Sequence, residues 1–559
     1  ISMRRPNRDG LEMVVDYDPT LYSYEYITQM YNVINSLIEQ IIGNPDIKVK
    51  ELQFCTKKDA EKIMTCFNAT EYDFSTGDRT IIDFFEESAK RYPEKTAVVF
   101  GDKSVTYKEF NQKVNILAHK LRKLGITRKS IVAVNMDRSD LMLAGIFAIV
   151  KAGGAYMPVS TAFPQQRIEY MLNDSDAKVL FYDGNVSKPE LENGDIVMVD
   201  LSDSSVWRGQ KDDENNPEHI NTLDDPVYVI YTSGTTGNPK GVVNVHKGLL
   251  NRILWMNRRY PASKGDVILQ KTVFTFDVSV WEIFWWSMFG ATVVLPMQGD
   301  EKEPVLIAEA IQKNKVTIMH FVPTMLDNFL EYVISAGKQN VWSNLKYVFS
   351  SGEALHVNTV NTFYQTTDRV SDVKLINVYG PTEASIDVSY YDCKPQEEII
   401  PIGKPIDNIK LYIARGTTLC GIGIPGEVLI TGAGLASGYL NNSKLTEEKF
   451  IKNPFGEGKA YRTGDCAAWL PDGNIQYFKR FDTQIKIHGQ RLEIGEVENA
   501  LLAIDVVKEG VVICRKNEQN ENILYGYYTS EKDIKPVDVQ KLLTQTLPGY
   551  MIPRYMMQI

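Results

Sequence analysis

Residues 231–241 read Tyr-Thr-Ser-Gly-Thr-Thr-Gly-Asn-Pro-Lys-Gly, and no other stretch of the chain narrows its possibilities as far. Three glycines, four hydroxyl side chains and one lysine stand between two apolar runs, Val227-Tyr228-Val229-Ile230 and Val242-Val243. Runs of this length and composition predict short buried strands. A loop between them offers backbone N–H groups and hydroxyls to an anion, and glycine lets the backbone approach closely. A polyphosphate is the natural guest. The Walker loop is a different object, because it ends in Gly-Lys-Ser/Thr. Here Lys240 lies between Pro239 and Gly241, which disfavours that fold. Taken alone, the stretch reads equally well as a mobile surface turn.

Composition sets wide limits. A chain of 559 residues exceeds the ~250–300 at which one core stops growing, so more than one domain is expected. The net charge of −10 argues against a nucleic-acid or anionic-membrane partner. Six scattered cysteines form no CxxC pair, which suggests neither a disulfide framework nor a zinc site. The longest apolar stretch, 283–295, is too short to span a bilayer, and no signal-peptide pattern opens the chain. A cytoplasmic protein is the expectation. The first residue is Ile, which points to a piece of a longer polypeptide.

Residues 1–52 differ from the rest. Met13-Val14-Val15 predicts a strand, and Ile27, Met30, Ile34, Leu37, Ile38 and Ile41 share one helix face. Asn44-Pro45-Asp46 breaks it. From about 79 to 480, apolar runs at Ala97–Phe100, Ile131–Val134, Val179–Phe181, Val293–Leu295, Tyr347–Phe349 and Leu375-Ile376 alternate with helical periodicity. That alternation predicts an α/β core of largely parallel sheets, whose ligands sit beyond the carboxyl ends of strands. After Arg480 the elements shorten. The turn Pro471-Asp472-Gly473 predicts a hairpin. Strands at 484–488 and 491–494 precede one helix marked by Val497, Leu501 and Ile504 and another marked by Val539, Leu542, Leu543 and Leu547. This reads as a small α+β unit behind a hinge near Asp482.

Seven segments in order resemble the motifs of amino-acid adenylation domains from nonribosomal peptide synthetases, members of the acyl-activating, AMP-forming ligases. They are Val105-Thr106-Tyr107, Lys151-Ala152-Gly153-Gly154-Ala155-Tyr156, 231–241, 377–383, Gly426-Glu427-Val428, Tyr461-Arg462-Thr463-Gly464-Asp465 and 480–498. Residues 1–52 are similar to the C-terminal end of a condensation domain. The resemblance implies a condensation tail at 1–52, a linker at 53–78, an adenylation core at 79–481 and a small subdomain at 482–559. It implies ATP-dependent formation of an aminoacyl-adenylate with release of pyrophosphate. Transfer to the phosphopantetheine thiol of a carrier domain then follows, with rotation of the small domain between the steps. A monomer is the expected state.

The same resemblance assigns roles. Thr232, Ser233, Gly234, Thr235, Thr236, Gly237 and Lys240 would hold the β- and γ-phosphates, and Thr382 would touch the α-phosphate. Glu383 would bind Mg²⁺, since a hard cation prefers carboxylate beside phosphate oxygens. Tyr379 offers a face to adenine and Asn377 a hydrogen bond. Gly352, Glu353, Gly380 and Tyr477 complete the nucleotide-binding set. Asp465 would accept from the ribose hydroxyls, and Arg480 would contact ribose or phosphate. Lys486 belongs to the face presented during thiolation.

Asp277 precedes a helix rich in Trp281, Phe284, Trp285 and Met288. Ser279 and Glu282 have the spacing of a capping box, which leaves Asp277 free. In the family an Asp here binds the substrate α-amino group, and a carboxylate facing an apolar pocket needs a cation. Val278, Trp281, His320, Phe349, Ser351, Val378, Ile386 and Asp387 would wall the pocket. Most are bulky or apolar, while His320, Ser351 and Asp387 are polar. A small pocket with few polar groups suits a small hydroxylated side chain. The set resembles the family's serine-selecting pattern, so L-serine is expected, with alanine and threonine as neighbours. The family's terminal Asn-Gly-Lys motif does not occur before Ile559, and without that lysine a slow first half-reaction is expected. His488 and Lys479 depart from the usual arginine and glycine at their positions. Two rival readings are an acyl- or aryl-CoA ligase, which Asp277 opposes, and a catalytically silent binding module, which the phosphate loop and Glu383 oppose.

Overall fold

The computed structural model describes all residues except 1, 8–9, 23, 186–189, 192–193, 235–236, 369, 488 and 518–521. Among the described residues, two mixed sheets form the centre. The first runs Gly438–Tyr439, Lys240–Val245, Pro226–Thr232, Ala155–Val159, Ile131–Asn135, Val179–Tyr182, Val197–Asp200. It is parallel from Pro226–Thr232 onward and antiparallel at the Lys240–Val245 edge. The second has a parallel centre of Tyr347–Ser350, Ile318–Phe321, Val267–Leu269 and Thr292–Leu295, with antiparallel strands towards its edges.

Two helices are apolar all round because a sheet or helix covers every face. In Ser279–Met288 every residue is buried, and in Asp140–Ala152 all but one are. One apolar cluster joins residues of both sheets and both helices, so the two sheets share a core.

The expectation of parallel sheets up to residue 480 fails beyond residue 404. There Ile409–Arg415, Gly426–Gly432, Lys459–Trp469 and Ile475–Arg480 pair antiparallel in a third sheet. The links from Arg415 to Gly426 and from Trp469 to Ile475 are too short for crossover helices, so reversal is the pairing left there, while the longer link from Gly432 to Lys459 carries the helix Ser443–Lys449. The hairpin around Pro471-Asp472-Gly473 forms as read.

Residues 484–559 build their own core. The hairpin Gln484–Ile487/Gln490–Glu493, the helices Ile494–Leu502 and Pro536–Leu543, and a sheet of Val507–Lys516, Asn522–Ser530 and Tyr555–Gln558 enclose Leu492, Val497, Leu501, Val539 and Met551. A separate core marks a separate unit. The mixed α/β core with a smaller α+β unit matches the expected fold class.

At the other end, Ser2–Asn7 pairs with Gly10–Val14, and the helix Tyr24–Gly43 lies against the core, where the Gln29 amide donates to the Ile422 carbonyl. Residues 53–78 are not a free tether. Ile63 is buried, and the Asn68 side chain pairs with both the N–H and the carbonyl of Leu411 at 2.8 and 2.9 Å. No described helix is long and apolar enough to cross a membrane.

Candidate active site

A cavity of about 900 Å³ opens where the strands Tyr347–Ser350 and Lys374–Tyr379 end and the hairpin of the small unit faces them. This is the carboxyl end of a parallel pair, where α/β sheets place ligands. Its wall includes Asp277, Val278, Ser351, Val378, Tyr379, Thr382, Asp387, Asp465, Arg480, Lys486 and Arg491. Residues more than 200 positions apart therefore converge on one space.

The glycine-rich stretch is a hairpin loop, with Thr232 pairing across to Lys240. Thr235 and Thr236 lie outside the described residues. Its described residues Ser233, Gly234 and Gly237 pack on the small unit. Ser233 Oγ donates to the Arg491 carbonyl and accepts from the Glu493 N–H, both at 3.1 Å. The Gly234 N–H donates to Glu496 Oε2 at 3.0 Å, and Gly237 approaches Asn499. Glu496 Oε1 holds Arg167 at 2.7 Å in a buried ion pair. A carboxylate thus sits on the N–H group expected to meet a phosphate oxygen.

Glu383 is fully buried in the short turn Thr382–Ala384, itself anchored by Asn244 Nδ2 on the Thr382 carbonyl at 3.0 Å. Arg491 Nη1 reaches both carboxylate oxygens at 3.0 and 3.1 Å, and the Tyr439 hydroxyl donates at 2.7 Å. Lys240 Nζ stands 3.8 Å away, over the Tyr439 ring. Burial raises the Glu383 pKa, but Arg491 and then Lys240 outweigh it and hold the carboxyl at about 2. Burial and the neighbouring Arg491 bring Lys240 down to about 8. No cluster of three metal-ligating side chains exists among the described residues. Mg²⁺ bound mainly through substrate phosphates needs only one or two protein carboxylates, so Glu383 fits the ion once Arg491 withdraws. Sequence reasoning misses Arg491, although it lies within the 480–498 motif.

Several expected nucleotide contacts are occupied by protein groups. Arg480 forks onto Asp482 at 2.6 and 2.7 Å, onto Asp465 at 2.7 Å and onto the Thr463 carbonyl at 2.9 Å. These four bonds leave it one free N–H, on Nη1. Asp465 accepts from Arg480 through one oxygen and from the Tyr379 hydroxyl, at 2.5 Å, through the other. Asn377 donates its amide to the Pro401 carbonyl at 2.8 Å, which leaves its oxygen. Glu353 accepts from the Thr324 hydroxyl and from the Gly489 N–H at 2.8 Å, tying the hairpin tip to the core. Gly352 faces that tip across Phe276, and Tyr477 lines the mouth.

The substrate pocket departs from expectation at four places. Asp277, Val278, Ser351, Val378 and Asp387 line the cavity, whereas Trp281, His320, Phe349 and Ile386 stand behind its wall. The Trp281 ring packs against Phe349 and His320 as a floor. His320 Nε2 lies 3.0 Å from Ser351 Oγ, so it acts on the cavity through Ser351. Burial, with Lys271 and Arg252 nearby, keeps His320 well below its ordinary pKa and therefore neutral.

The capping box is also absent. Val278 holds the N-cap position without a side-chain bond, and Ser279 Oγ donates to the Phe274 carbonyl. Glu282 turns inward to the N–H and hydroxyl of Thr272 at 2.9 and 2.7 Å. Asp277 is still free of the helix end, for a different reason. Its carboxylate accepts from Thr382 and lies within the field of Lys486, which sits on the hairpin strand. Burial dominates and lifts Asp277 to about 7, with Asp387 pushing the same way. Burial lowers Lys486.

Gly380 sets the shape beside Asp387. A Cβ there would meet the Ile386 carbonyl oxygen at 2.4 Å and the Asp387 Cα at 2.5 Å. The chain can cross itself at this point only with glycine. Ser385 and Ile386 both have positive φ, 56° and 80°, a rare conformation for a β-branched residue and one that clusters at functional sites.

Comparison with known proteins agrees with this geometry. The family described as AMP-binding enzyme matches residues 85–440. Zwittermicin A synthase ZmaJ of Bacillus cereus is 44% identical over 85% of this chain and 90% of its own length. A mycosubtilin synthase polypeptide of Bacillus subtilis is 42% identical over 99% of this chain, which spans 21% of that polypeptide. The nonribosomal peptide synthetase FmoA3, solved with α-methyl-L-serine-AMP bound, superposes with a TM-score of 0.75 at 26% identity, over 83% of this chain and 52% of its own. The chain belongs to the AMP-binding enzymes, as an amino-acid-activating adenylation domain of the nonribosomal peptide synthetase type and an AMP-forming ligase.

Proposed function

We propose that this adenylation domain activates L-serine. The carboxylate of the amino acid attacks the α-phosphorus of ATP, pyrophosphate leaves, and seryl-AMP forms. The phosphopantetheine thiol of a carrier domain then attacks the acyl carbon, and AMP leaves. The observation that carries this reading is Asp277, a fully buried carboxylate on the cavity wall beside Ser351 and Asp387. A buried carboxylate needs a cation, and an α-ammonium supplies one. A site built to hydrogen-bond a hydroxyl rejects analogues that lack it, because its own polar groups are then left unpaired. The relative bound to α-methyl-L-serine-AMP supports the same substrate class.

Thr382, hydrogen-bonded to Asp277 and next to Glu383 in the chain, would touch the α-phosphate, and Lys240 would hold the outer phosphates. Mg²⁺, held by Glu383 and the phosphates, would neutralise their charge. The stretch before the core is proposed as the end of a condensation domain, which would make the parent an elongating module.

Amino-acid-dependent ATP–pyrophosphate exchange across the twenty amino acids, on this chain and on one carried past Ile559, tests the reading. Exchange strongest with serine is expected. Preference for another amino acid rejects the serine assignment, and bound ATP with no exchange in either form favours a silent module.

The carboxylate of Glu496 on Gly234 gives a second expectation. It competes with a polyphosphate for that N–H, and a neutral amide competes less. Glu496→Gln is expected to lower the KM for ATP about fivefold, since a charged acceptor exceeds a neutral one by ~1 kcal/mol. The KM for serine should stay within error. An unchanged KM for ATP rejects the competition.

A further inference from the structure

Arg252 lies on the helix His246–Arg259, behind the cavity and absent from its wall. Its side chain is almost entirely buried, as is that of Asp387, and its Nη2 donates to Asp387 Oδ2 at 2.6 Å. Nε and Nη1 have no hydrogen-bond partner among the described residues, and the guanidinium sits over the Trp255 ring. A buried guanidinium with two unpartnered nitrogens is costly to the fold. It is held here against one carboxylate.

That carboxylate shares the cavity with another. Asp277 and Asp387 both line it, and each disfavours the charge of the other. Lys486 faces both at longer range from the hairpin, and it belongs to the small unit rather than to the core. Arg252 is the fixed countercharge, because a core helix carries it. Gly380 and the strained Ser385–Ile386 backbone set Asp387 in place from the other side.

We propose that Arg252 is a specificity-positioning residue. By neutralising Asp387 from behind, it leaves Asp277 as the member of this carboxylate pair that requires a substrate cation, so the site takes amino acids with a single ammonium and rejects those whose side chain carries a second. The inference rests on reading the cavity as an amino-acid pocket. Without Arg252, Asp387 becomes a second unpaired carboxylate, and a short diamino acid, which matches serine in size with an ammonium in place of the hydroxyl, supplies its partner.

The test compares wild type, Arg252→Gln and the double variant Arg252→Gln/Asp387→Asn. Pyrophosphate exchange is measured with L-serine and with L-2,3-diaminopropionate, together with calorimetric binding of the corresponding aminoacyl sulfamoyl adenosines, which requires no turnover. In Arg252→Gln the ratio of kcat/KM for serine to that for diaminopropionate is expected to fall on the order of 100-fold. The change should sit in the KM for the amino acid, while the KM for ATP holds. The double variant replaces the ion pair by a neutral amide pair and should regain the wild-type preference. A merely structural arginine would depress both amino acids alike, and that result overturns the proposal. So does a double variant that favours the diamino acid, a criterion that stands even if Arg252→Gln fails to fold. Wild-type protein that binds neither sulfamoyl adenosine overturns the amino-acid reading and this inference with it. Wild type that selects serine, with an unchanged ratio in Arg252→Gln, overturns this inference alone.

Discussion

Asp277→Ala is expected to cripple amino-acid-dependent pyrophosphate exchange, with kcat/KM for serine falling by two to four orders of magnitude while ATP still binds. Removing one partner of a buried ion pair costs ~3–5 kcal/mol, which converts to a loss of roughly 10²–10⁴-fold. The wild-type enzyme should also show a pH dependence of its own. Burial holds the Asp277 carboxyl at about 7 against an ordinary 3.8. The group must ionise to receive an ammonium, so the KM for serine should fall as pH rises through about 7, with the KM for ATP flat across the same range. Asp277→Asn removes this dependence. The effect on stability runs the other way. A carboxyl whose folded pKa is raised keeps its proton in the folded state while the unfolded chain has lost it. Its penalty therefore grows from pH 3.8 to about 7 and is complete above that. Asp277→Asn should melt higher than wild type at neutral pH and nearly equal to it below pH 3.8. Serine activation undiminished in Asp277→Ala would reject the assignment.

The reach and the limit of the sequence are both visible at this pocket. Strand positions in the α/β core were legible because fully buried parallel strands are short continuous apolar runs, as at Val98, Val132 and Val348. The motifs placed Asp277 and Thr382 on one cavity wall, with Glu383 buried next to Thr382, since each stands near the end of an element whose period could be read. What lay behind the wall was not legible. Nothing in the spacing of Arg252 sets it apart from Arg258 and Arg259 on the same helix. Yet Arg252 is buried against Asp387, while its neighbours pair near the surface with Asp407 and Asp392. Tertiary packing alone makes that difference. The capping-box spacing at Ser279 and Glu282 misled for the same reason, because Thr272 arrives from outside the helix with a better donor pair for Glu282. The bond of Glu353 to the Gly489 N–H was also invisible, because it depends on where the small unit sits, and the Arg480–Asp465 pair was invisible because it depends on strand register.

Glu383→Gln is the second variant with a large expected effect, and it acts on stability and chemistry together. The wild-type carboxylate is the common countercharge of the half-buried Arg491 and Lys240. Its depression from 4.5 to about 2 amounts to about 3 kcal/mol of stabilisation. The sign follows from a lowered folded pKa: this stability is complete above pH 4.5 and is lost as pH falls from there through about 2. Glu383→Gln should therefore unfold at lower denaturant concentration at neutral pH, and the gap from wild type should close as the solution is acidified across that window. Its activity should fall further than its stability explains. The amide offers a weak oxygen to Mg²⁺ and no charge to balance Lys240 and Arg491, so Mg²⁺-dependent exchange should drop by at least about 100-fold, with half-maximal exchange moved to higher Mg²⁺. Denaturant titrations at several pH values, read beside exchange at increasing Mg²⁺, separate the two effects. A variant as stable as wild type at neutral pH would show that Arg491 and Lys240 find other partners, and an unchanged Mg²⁺ concentration for half-maximal exchange would remove Glu383 from the metal site.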